Sequence, residues 1–332
     1  MIEQFNNKKV LFFCPKFFGY EKALAQKMMD SGAEVHFYDE RMNPSALEKI
    51  LIRLNLRSFL KSKIYKYYTA ILDEYEIDYF DYIIFFNPET VTTDLLKKMK
   101  NKQNKAKFIL YMWDSFSNKP HSKDLISYFD KCLTFNREDA DNYSMSFRPL
   151  FFIDEYNADL VSEKPDCDID IGFIGTIHSD RYGILKQIEK WATENKLSTY
   201  FYMYFPSYIV YLKYKLEMIG TYKIKKEEFH FNSLSPKEVF SILNRCKAIV
   251  DIQHPNQTGL TMRTIEMLGM RKKIITTNLD IESYDFYNSS NILKVSRENI
   301  IISQDFLSSE NFIETDARKK YSIENFLLDI IG

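Results

Sequence analysis

Short apolar runs alternate with amphipathic segments from the start of the chain. The run Lys9–Cys14 is too short for a helix and stops at Pro15, which predicts a buried strand. Apolar residues recur at helical spacing over Tyr20–Ser31, where Gly32 predicts a C-terminal cap, and Glu34–Tyr38 predicts a second strand. A strand, a helix and a strand within about 30 residues form a βαβ unit, which requires a parallel sheet.

The same alternation predicts a doubly wound α/β domain over residues 1–154. Further strands are predicted at Tyr82–Asn87, Lys107–Met112 and Lys131–Phe135, with helices at Thr90–Lys100 and from Asn136 onwards. The polar and acidic residues 155–168 have little periodicity and predict a linker.

The alternation restarts after this linker and predicts a second α/β domain over residues 169–312. Its strands are expected at Ile169–Ile174, Ala248–Ile252 and Lys273–Thr277, and its helices at Asp180–Asn195 and Ser235–Arg245. Ser179 is the predicted N-cap of the first helix, and Ser235 with Glu238 predicts a capping box for the second. Residues 313–332 end in an amphipathic helix, Ser322–Ile331, which is expected to pack back on the first domain.

Composition excludes several classes of protein. Hydrophobic residues make up 45% of the 332 residues, and 45 basic against 46 acidic side chains give a net charge of −1. Real cores are therefore expected, whereas a nucleic-acid partner is not, because such proteins concentrate positive charge. Four widely spaced cysteines and five histidines show no metal-ligand spacing. Neither a signal peptide nor an apolar run of about 20 residues is present, so a cytoplasmic protein is expected.

The segment from Asp251 to Asn278 carries the most informative chemistry. A strand is expected to end near Ile252, a polar loop with Asn256, Thr258 and Gly259 follows, and a helix is predicted from Leu260. The unpaired amides and the dipole of a helix N-terminus at the carboxyl end of a parallel strand favour an anion. The sequence therefore predicts an anion site here, although a surface loop before an ordinary solvated helix fits the same pattern.

Three side chains of that helix extend this prediction. Thr261 and Arg263 would bring a hydroxyl group and a guanidinium group to the anion. Glu266 would reach a ribose, because a carboxylate can accept hydrogen bonds from both ribose hydroxyl groups.

In these residues the chain resembles the GT-B glycosyltransferases, especially bacterial enzymes that build capsule, lipopolysaccharide or exopolysaccharide. By this resemblance Glu266 matches the ribose-binding glutamate, and Gly259, Leu260 and Thr261 match the loop that faces the donor diphosphate.

A second segment, Ile171–Arg181, resembles the strand and turn that open the donor domain of that family. Gly175 and Thr176 would let the backbone approach the phosphates, and Arg181 would pair with them. A weaker match, Phe231–Ser235, lies where backbone groups of the family bind the nucleobase of the donor. The resemblance covers about half of the chain strongly and the first half only by architecture.

The resemblance implies two Rossmann-like domains that face a cleft, and transfer of a sugar from a nucleotide-sugar donor to a hydroxyl group of a glycan or lipid-linked acceptor. It implies neither a metal nor another cofactor. Many retaining members have a glutamate where this chain has Thr258, which favours inversion. Two alternatives are a nucleotide-sugar 2-epimerase of the same architecture and a non-catalytic nucleotide-sugar-binding component of a polysaccharide assembly complex.

An inverting enzyme needs a general base, and Asp114 is the candidate because it follows the strand Lys107–Met112. A structural carboxylate in a turn is the alternative interpretation of Asp114. Asp168 and Asp170 have the spacing of a metal-binding DxD motif, but their place before a strand favours a polar domain entrance.

Two stretches rich in basic and aromatic residues, Arg53–Tyr68 and Tyr208–Lys226, suit peripheral contact with an anionic membrane surface. Ordinary solvated helix faces explain them equally well.

Overall fold

The computed structural model describes residues 2–42, 44–53, 56–161, 166–218, 220–255, 258–309 and 312–332. The chain divides into two compact units. The first contains Met1–Leu150 together with Ile323–Gly332, and the second contains Phe151–Ser322.

The first unit is a parallel sheet covered by helices on both faces. Its elements in chain order are β1 (Lys9–Cys14), α1 (Tyr20–Asp30), β2 (Glu34–Asp39), α2 (Ala46–Arg53), α3 (Lys61–Asp73), β3 (Tyr82–Phe86), α4 (Thr93–Lys102), β4 (Lys107–Met112), β5 (Lys131–Thr134), α5 (Arg137–Tyr143) and β6 (Ser146–Phe147). The strand order is β2-β1-β3-β4-β5-β6, and all neighbouring strands pair in parallel.

The second unit repeats this architecture. Its elements are β7 (Ile169–Thr176), α6 (Arg181–Glu194), β8 (Thr199–Tyr204), α7 (Tyr208–Glu217), β9 (Phe229–His230), α8 (Pro236–Arg245), β10 (Cys246–Asp251), α9 (Met262–Gly269), β11 (Lys273–Thr276), β12 (Ile292–Lys294) and α10 (Gln304–Ser308). The strand order β12-β11-β10-β7-β8-β9 places the first strand of the unit in the interior of a doubly wound sheet.

The last helix, α11 (Ile323–Ile331), belongs to the first unit. Its Phe326 ring lies 4.8 Å from the ring of Tyr111 in β4, edge to face. The backbone carbonyl of Ile331 accepts a hydrogen bond of 3.1 Å from the Lys107 ammonium group.

Each unit has its own apolar core, built from the central strands. In the first unit the rings of Phe13 and Phe85, on the neighbouring strands β1 and β3, stack at 4.5 Å and are fully buried. In the second unit Gly172 of β7 faces Cys246 so closely that an added Cβ would lie 2.4 Å from the Cys246 sulfur. A larger residue at position 172 would therefore separate β7 from β10, the strands that flank the candidate site.

The strands predicted from short apolar runs are confirmed, with small differences at their ends. The cap at Gly32 is confirmed by its φ of +91°, and the capping box of α8 is confirmed at Ser235 and Glu238. The predicted N-cap at Ser179 is wrong, because α6 begins after Asp180 and Ser179 has a positive φ of +48°. The predicted helix start at Thr90 is also wrong, since the Thr90 amide donates to the buried carboxylate of Glu40.

Several elements have no prediction in the sequence, among them β8, β9, β12 and α7. The predicted linker, residues 155–168, partly packs within the second unit, where Tyr156 is buried and the Ala158 amide donates to Gly269 O at 3.0 Å. Residues 162–165 of that linker lie outside the described residues, as do 54–55 and 219 of the two basic and aromatic stretches.

Candidate functional site

The carboxyl edge of the second sheet has one topological switch point, between β7 and β10. From β7 the chain proceeds to β8 and β9 on one side, and it then returns to β10, β11 and β12 on the other. In doubly wound sheets the loops on the two sides of such a point run in opposite directions, and ligands bind between them. The predicted donor residues lie at the end of β7, at the start of α6, in the loop after β10 and in α9.

Arg181, the first residue of α6, joins the two loops. Its Nε donates to the carbonyl of Ile252 at 2.7 Å, and its Nη1 donates to the carbonyl of Thr176 at 2.7 Å. No acceptor for its Nη2 occurs within the described part of the chain. Burial lowers the pKa of this guanidinium group, and the neighbouring Asp251 carboxylate opposes the shift. The structure therefore places Arg181 and Thr176 together at the switch point.

Gly175 lies one residue before Thr176, within the last part of β7. A Cβ at this position would lie 2.9 Å from the tip of the Phe173 ring, so the absence of a side chain is explained by that contact.

The start of α9 is organised by a carboxylate that the sequence prediction missed. The Thr261 hydroxyl donates to Asp251 Oδ2 at 2.7 Å and accepts from the Thr264 amide at 3.2 Å, which makes Thr261 the N-cap. The Thr264 hydroxyl donates to the same oxygen. Asp251 is the last residue of β10 and only 5% exposed. The Thr261 side chain therefore points toward Asp251 and caps the first turn of α9 through the Thr264 amide.

The loop before α9 is held by the residues that follow β11. Gly259 and Leu260 are buried, and Asn278 Nδ2 donates to the carbonyls of Thr258 and Gly259 at 3.2 and 3.4 Å. These bonds fix the backbone that leads into the helix. Asn256, which the sequence places in the same loop, lies outside the described residues.

Arg263 and Glu266 form an ion pair on the flank of α9. Arg263 Nη1 donates to Glu266 Oε2 at 2.6 Å, and the two side chains are 22% and 8% exposed. The Tyr156 hydroxyl lies beside this pair; burial raises its pKa to about 12, and the Glu266 charge adds to the shift. One oxygen of the Glu266 carboxylate is therefore already engaged by Arg263.

A second guanidinium group, Arg297, lies at the same edge and was not predicted. Its Nη1 donates to both carboxylate oxygens of Asp180 at 2.8 Å, and its Nη2 donates to the carbonyl of Gln253 at 2.8 Å. It therefore links the residue before α6 to the loop after β10. The only sequence signal is a basic residue three positions after a short strand, β12, which has only three residues.

His178 lies in the loop between β7 and α6. Burial, together with the charges of Arg181 and His254, lowers the pKa of His178 to about 4. Its Nδ1 lies 2.8 Å from the Ser179 hydroxyl, and its ring lies 5.4 Å from that of His254. The imidazole is consequently neutral at physiological pH and can exchange a hydrogen bond, but it supplies no positive charge.

Asp114 follows β4 in the first unit and caps a turn. Its Oδ1 accepts from the Ser115 amide at 3.0 Å and from Asn118 Nδ2 at 2.8 Å. This geometry agrees with the alternative interpretation of Asp114 as a structural carboxylate in a turn. Its role as a general base stays a prediction.

The same edge of the first sheet also holds the buried carboxylate of Glu40, the residue after β2. Glu40 Oε1 accepts from the amides of Thr90 and Val91 at 2.7 and 3.0 Å, while its Oε2 has no partner in the described part of the chain. Burial raises the pKa of Glu40 to about 7, and the backbone amides oppose this shift.

The DxD pair lies at the opposite edge of the second sheet from the switch point. Asp168 pairs with Arg245, and Asp170 pairs with Lys247 at 2.8 Å. A cavity of about 670 Å³ lies at this amino edge too, lined in part by Cys167, Lys272 and Lys273. Over the described ranges, no three His, Cys, Asp or Glu residues are grouped closely enough to hold a metal ion.

Comparison with known proteins identifies the fold. No protein-family model matches the chain, and no curated protein matches its sequence. Among solved structures, HepE of Anabaena in complex with UDP-glucose matches with a TM-score of 0.58 at 11% identity, over 98% of this chain and 98% of that one. Sucrose-phosphate synthase of Thermosynechococcus elongatus matches with a TM-score of 0.53 at 10% identity, over 98% and 95%.

An isomerase shares this fold. UDP-GlcNAc 2-epimerase of Methanocaldococcus jannaschii matches with a TM-score of 0.51 at 9% identity, over 97% of this chain and 99% of that one. The predicted fold class is therefore confirmed: two Rossmann-like α/β domains of the kind found in GT-B glycosyltransferases. Identities this low show the fold alone. In the part of the chain that the structure describes, no helix is long and apolar enough to cross a membrane.

Proposed function

We propose that this chain is a glycosyltransferase of bacterial surface-polysaccharide synthesis that acts on the cytoplasmic side. It takes a sugar from a nucleotide-sugar donor and transfers it, with inversion, to a hydroxyl group of a glycan or lipid-linked acceptor. One observation carries the proposal: Arg181 ties together the two loops at the switch point of the second sheet, beside the capped start of α9.

The donor diphosphate is assigned to this switch point. Thr261 fixes the first turn of α9, because its hydroxyl accepts from the Thr264 amide and donates to Asp251. Arg181 Nη2 and the positive end of the helix dipole would stabilise the negative charge that develops on the leaving diphosphate. The proposed reaction therefore proceeds without a metal or other cofactor.

The ribose of the donor is assigned to Glu266. In the structure this carboxylate forms an ion pair with Arg263 at 2.6 Å. When the nucleotide binds, two ribose hydroxyl groups would replace the guanidinium group as its partners. The displaced guanidinium group of Arg263 then becomes available to the phosphates. Such an exchange would allow a nearly buried carboxylate to act as a ligand.

The acceptor hydroxyl group must lose a proton as its oxygen attacks the anomeric carbon and the nucleoside diphosphate leaves. We assign this proton to Asp114, whose Oδ1 is already fixed by Ser115 and Asn118. A base held by two hydrogen bonds keeps its orientation while it accepts a proton, which is what general-base catalysis requires.

Nucleotide binding tests the donor site. We expect one of UDP, GDP, CMP or dTDP to raise the melting temperature of the chain, and Glu266→Gln to weaken its Kd by about tenfold or more, the effect of losing a charged hydrogen bond. Glu194→Gln, an exposed change at the end of α6, is the matched control and should bind as the wild type does. Unchanged calorimetric affinity in Glu266→Gln would refute the ribose assignment.

Turnover tests the reaction class. Sugar transfer to an added glycan acceptor, lost in Asp114→Asn, supports the proposal. Epimer formed from UDP-N-acetylglucosamine without an acceptor would replace glycosyl transfer by 2-epimerisation, and nucleotide binding without any turnover would favour a non-catalytic component.

A further inference from the structure

Helix α7 has apolar side chains on two opposite faces. On the inner face Tyr211 and Tyr214 are buried, and the Tyr211 ring lies 5.6 Å from that of Phe205. On the outer face Ile209 and Leu216 are 79% and 67% exposed. Only the inner face is explained by the fold of the second unit.

The outer face forms one continuous stripe. Ile209, Leu212 and Leu216 are spaced i, i+3, i+7, which aligns them along one side of a helix, and Leu212 is 41% exposed. Isolated exposed apolar side chains are ordinary, but an aligned aliphatic stripe on the solvent side of a helix is not. The stripe requires an apolar environment outside this unit.

Helix α3 of the first unit shows the ordinary arrangement for comparison. Ile64, Ile71 and Leu72 face the core, and lysines such as Lys63 and Lys66 are among its exposed residues. The stretch around α3 therefore behaves as an amphipathic surface helix, and its most exposed apolar residue, Phe59, precedes the helix.

Positive charge surrounds the stripe on α7. The stretch Tyr208–Lys226 contains five lysines and one glutamate. Lys213 lies on the solvent-exposed part of α7, where Glu217 pairs with it only at 3.8 Å and with both side chains largely exposed. Lys226 lies 5.1 Å from the Tyr208 ring at the start of the helix. An exposed pair of this length contributes little, so the local charge is available to a negatively charged partner.

We propose that α7 lies on the surface of an anionic phospholipid bilayer. The stripe of Ile209, Leu212 and Leu216 enters the boundary between headgroups and acyl chains, and the neighbouring lysines meet the phosphates. An aliphatic stripe flanked by lysines matches a surface that is apolar inside and negative at its edge, which a soluble protein partner seldom offers. This inference goes beyond sugar transfer and does not depend on it.

Vesicle flotation with the full chain tests this surface. We expect the chain to float with vesicles that contain an anionic phospholipid, and to float less with purely zwitterionic vesicles or at high salt. The variant Ile209→Ser/Leu212→Ser/Leu216→Ser should partition into the vesicles at least about tenfold less than the wild type. The free energy gained when three aliphatic side chains leave water exceeds that of a tenfold change in a binding constant. Ile301→Ser, equally exposed at 70% on the same unit, is the control and should leave partitioning unchanged.

The outcomes separate cleanly. Three vesicle results would each overturn the proposal: partitioning of the triple variant like that of the wild type, equal binding to zwitterionic and anionic vesicles, and no vesicle binding at all. A concentration-dependent dimer in light scattering that the triple variant abolishes would overturn it too, by assigning the stripe to a second copy. Circular dichroism and nucleotide binding of the variant show that it folds, and they distinguish failure of this surface from failure of the proposed function.

Discussion

The buried carboxyl group of Glu40 makes the stability of the first unit depend on pH. Glu40 is 0% exposed, and burial raises its pKa from 4.5 to about 7. Below pH 4.5 the group is protonated in both the folded and the unfolded chain. Between pH 4.5 and 7 the unfolded chain releases this proton while the folded chain retains it, so rising pH favours unfolding.

The size of this effect follows from the pKa values. At 1.36 kcal/mol per pH unit, the free energy of unfolding should fall by roughly 3 kcal/mol across this window and then level off. Glu40→Gln keeps an acceptor for the Thr90 and Val91 amides but cannot ionise. Its stability relative to the wild type should therefore rise by the same roughly 3 kcal/mol between pH 4.5 and 7.5.

Urea unfolding at a series of pH values measures this difference. Each unit contains one tryptophan, Trp113 or Trp191, so fluorescence in a Trp191→Phe background reports on the first unit. Tyr68→Phe is the matched control, because it removes a hydroxyl group that donates to Glu40 but keeps the carboxyl group. The control should retain the pH dependence. A constant difference between Glu40→Gln and wild type over this window would refute the argument.

Two further predictions concern the second unit. Gly269→Ala should destabilise it by about 1–3 kcal/mol, because the new Cβ would lie 2.6 Å from both the Phe152 ring and the Tyr156 carbonyl; thermal unfolding measures this, and an unchanged melting temperature would contradict it. His178 should remain neutral down to about pH 4, because burial and the Arg181 charge oppose protonation of its ring. The second unit should therefore lose stability as the pH falls below 6.5, the pKa of this histidine in the unfolded chain. NMR titration of the ring measures the pKa, and a midpoint near 6.5 would contradict the prediction.

The sheets could be predicted because buried parallel strands are continuous apolar runs. Lys107–Met112 was predicted with the ends that the structure gives, since five of its six residues are buried. The run Thr199–Tyr204 was missed because tyrosines alternate with Phe201 and Met203, and strand β8 is only partly buried. Strands that lie near the edge of a sheet lose the continuous apolar pattern that identifies the central ones.

Helix starts were harder to predict, because long-range contacts decide them. Thr90 has the sequence of a helix start, yet its amide is taken by Glu40, fifty residues earlier, and the helix begins only after Thr92. Ser179 could cap α6, but its hydroxyl meets His178. Local propensity supplies candidates for an N-cap, and tertiary hydrogen bonds select among them.

The candidate donor site shows the same distinction between position and role. The sequence predicts that Arg181 and Thr261 lie close to helix starts, and in the structure they are the first residue of α6 and the N-cap of α9. Their side chains, however, contact protein groups: backbone carbonyls in one case and the Asp251 carboxylate in the other. These contacts hold the loops in place, which is what a preorganised anion site needs.

The charges at this edge therefore act mainly by fixing the backbone. Arg297 is balanced by Asp180, and the hydroxyl group of Thr261 is engaged by Asp251. Paired charges of this kind contribute little field at a distance, so a diphosphate would be held chiefly by oriented amides and the remaining N–H groups of Arg181. On the proposed function, this arrangement would recognise the diphosphate of the donor without selecting its sugar.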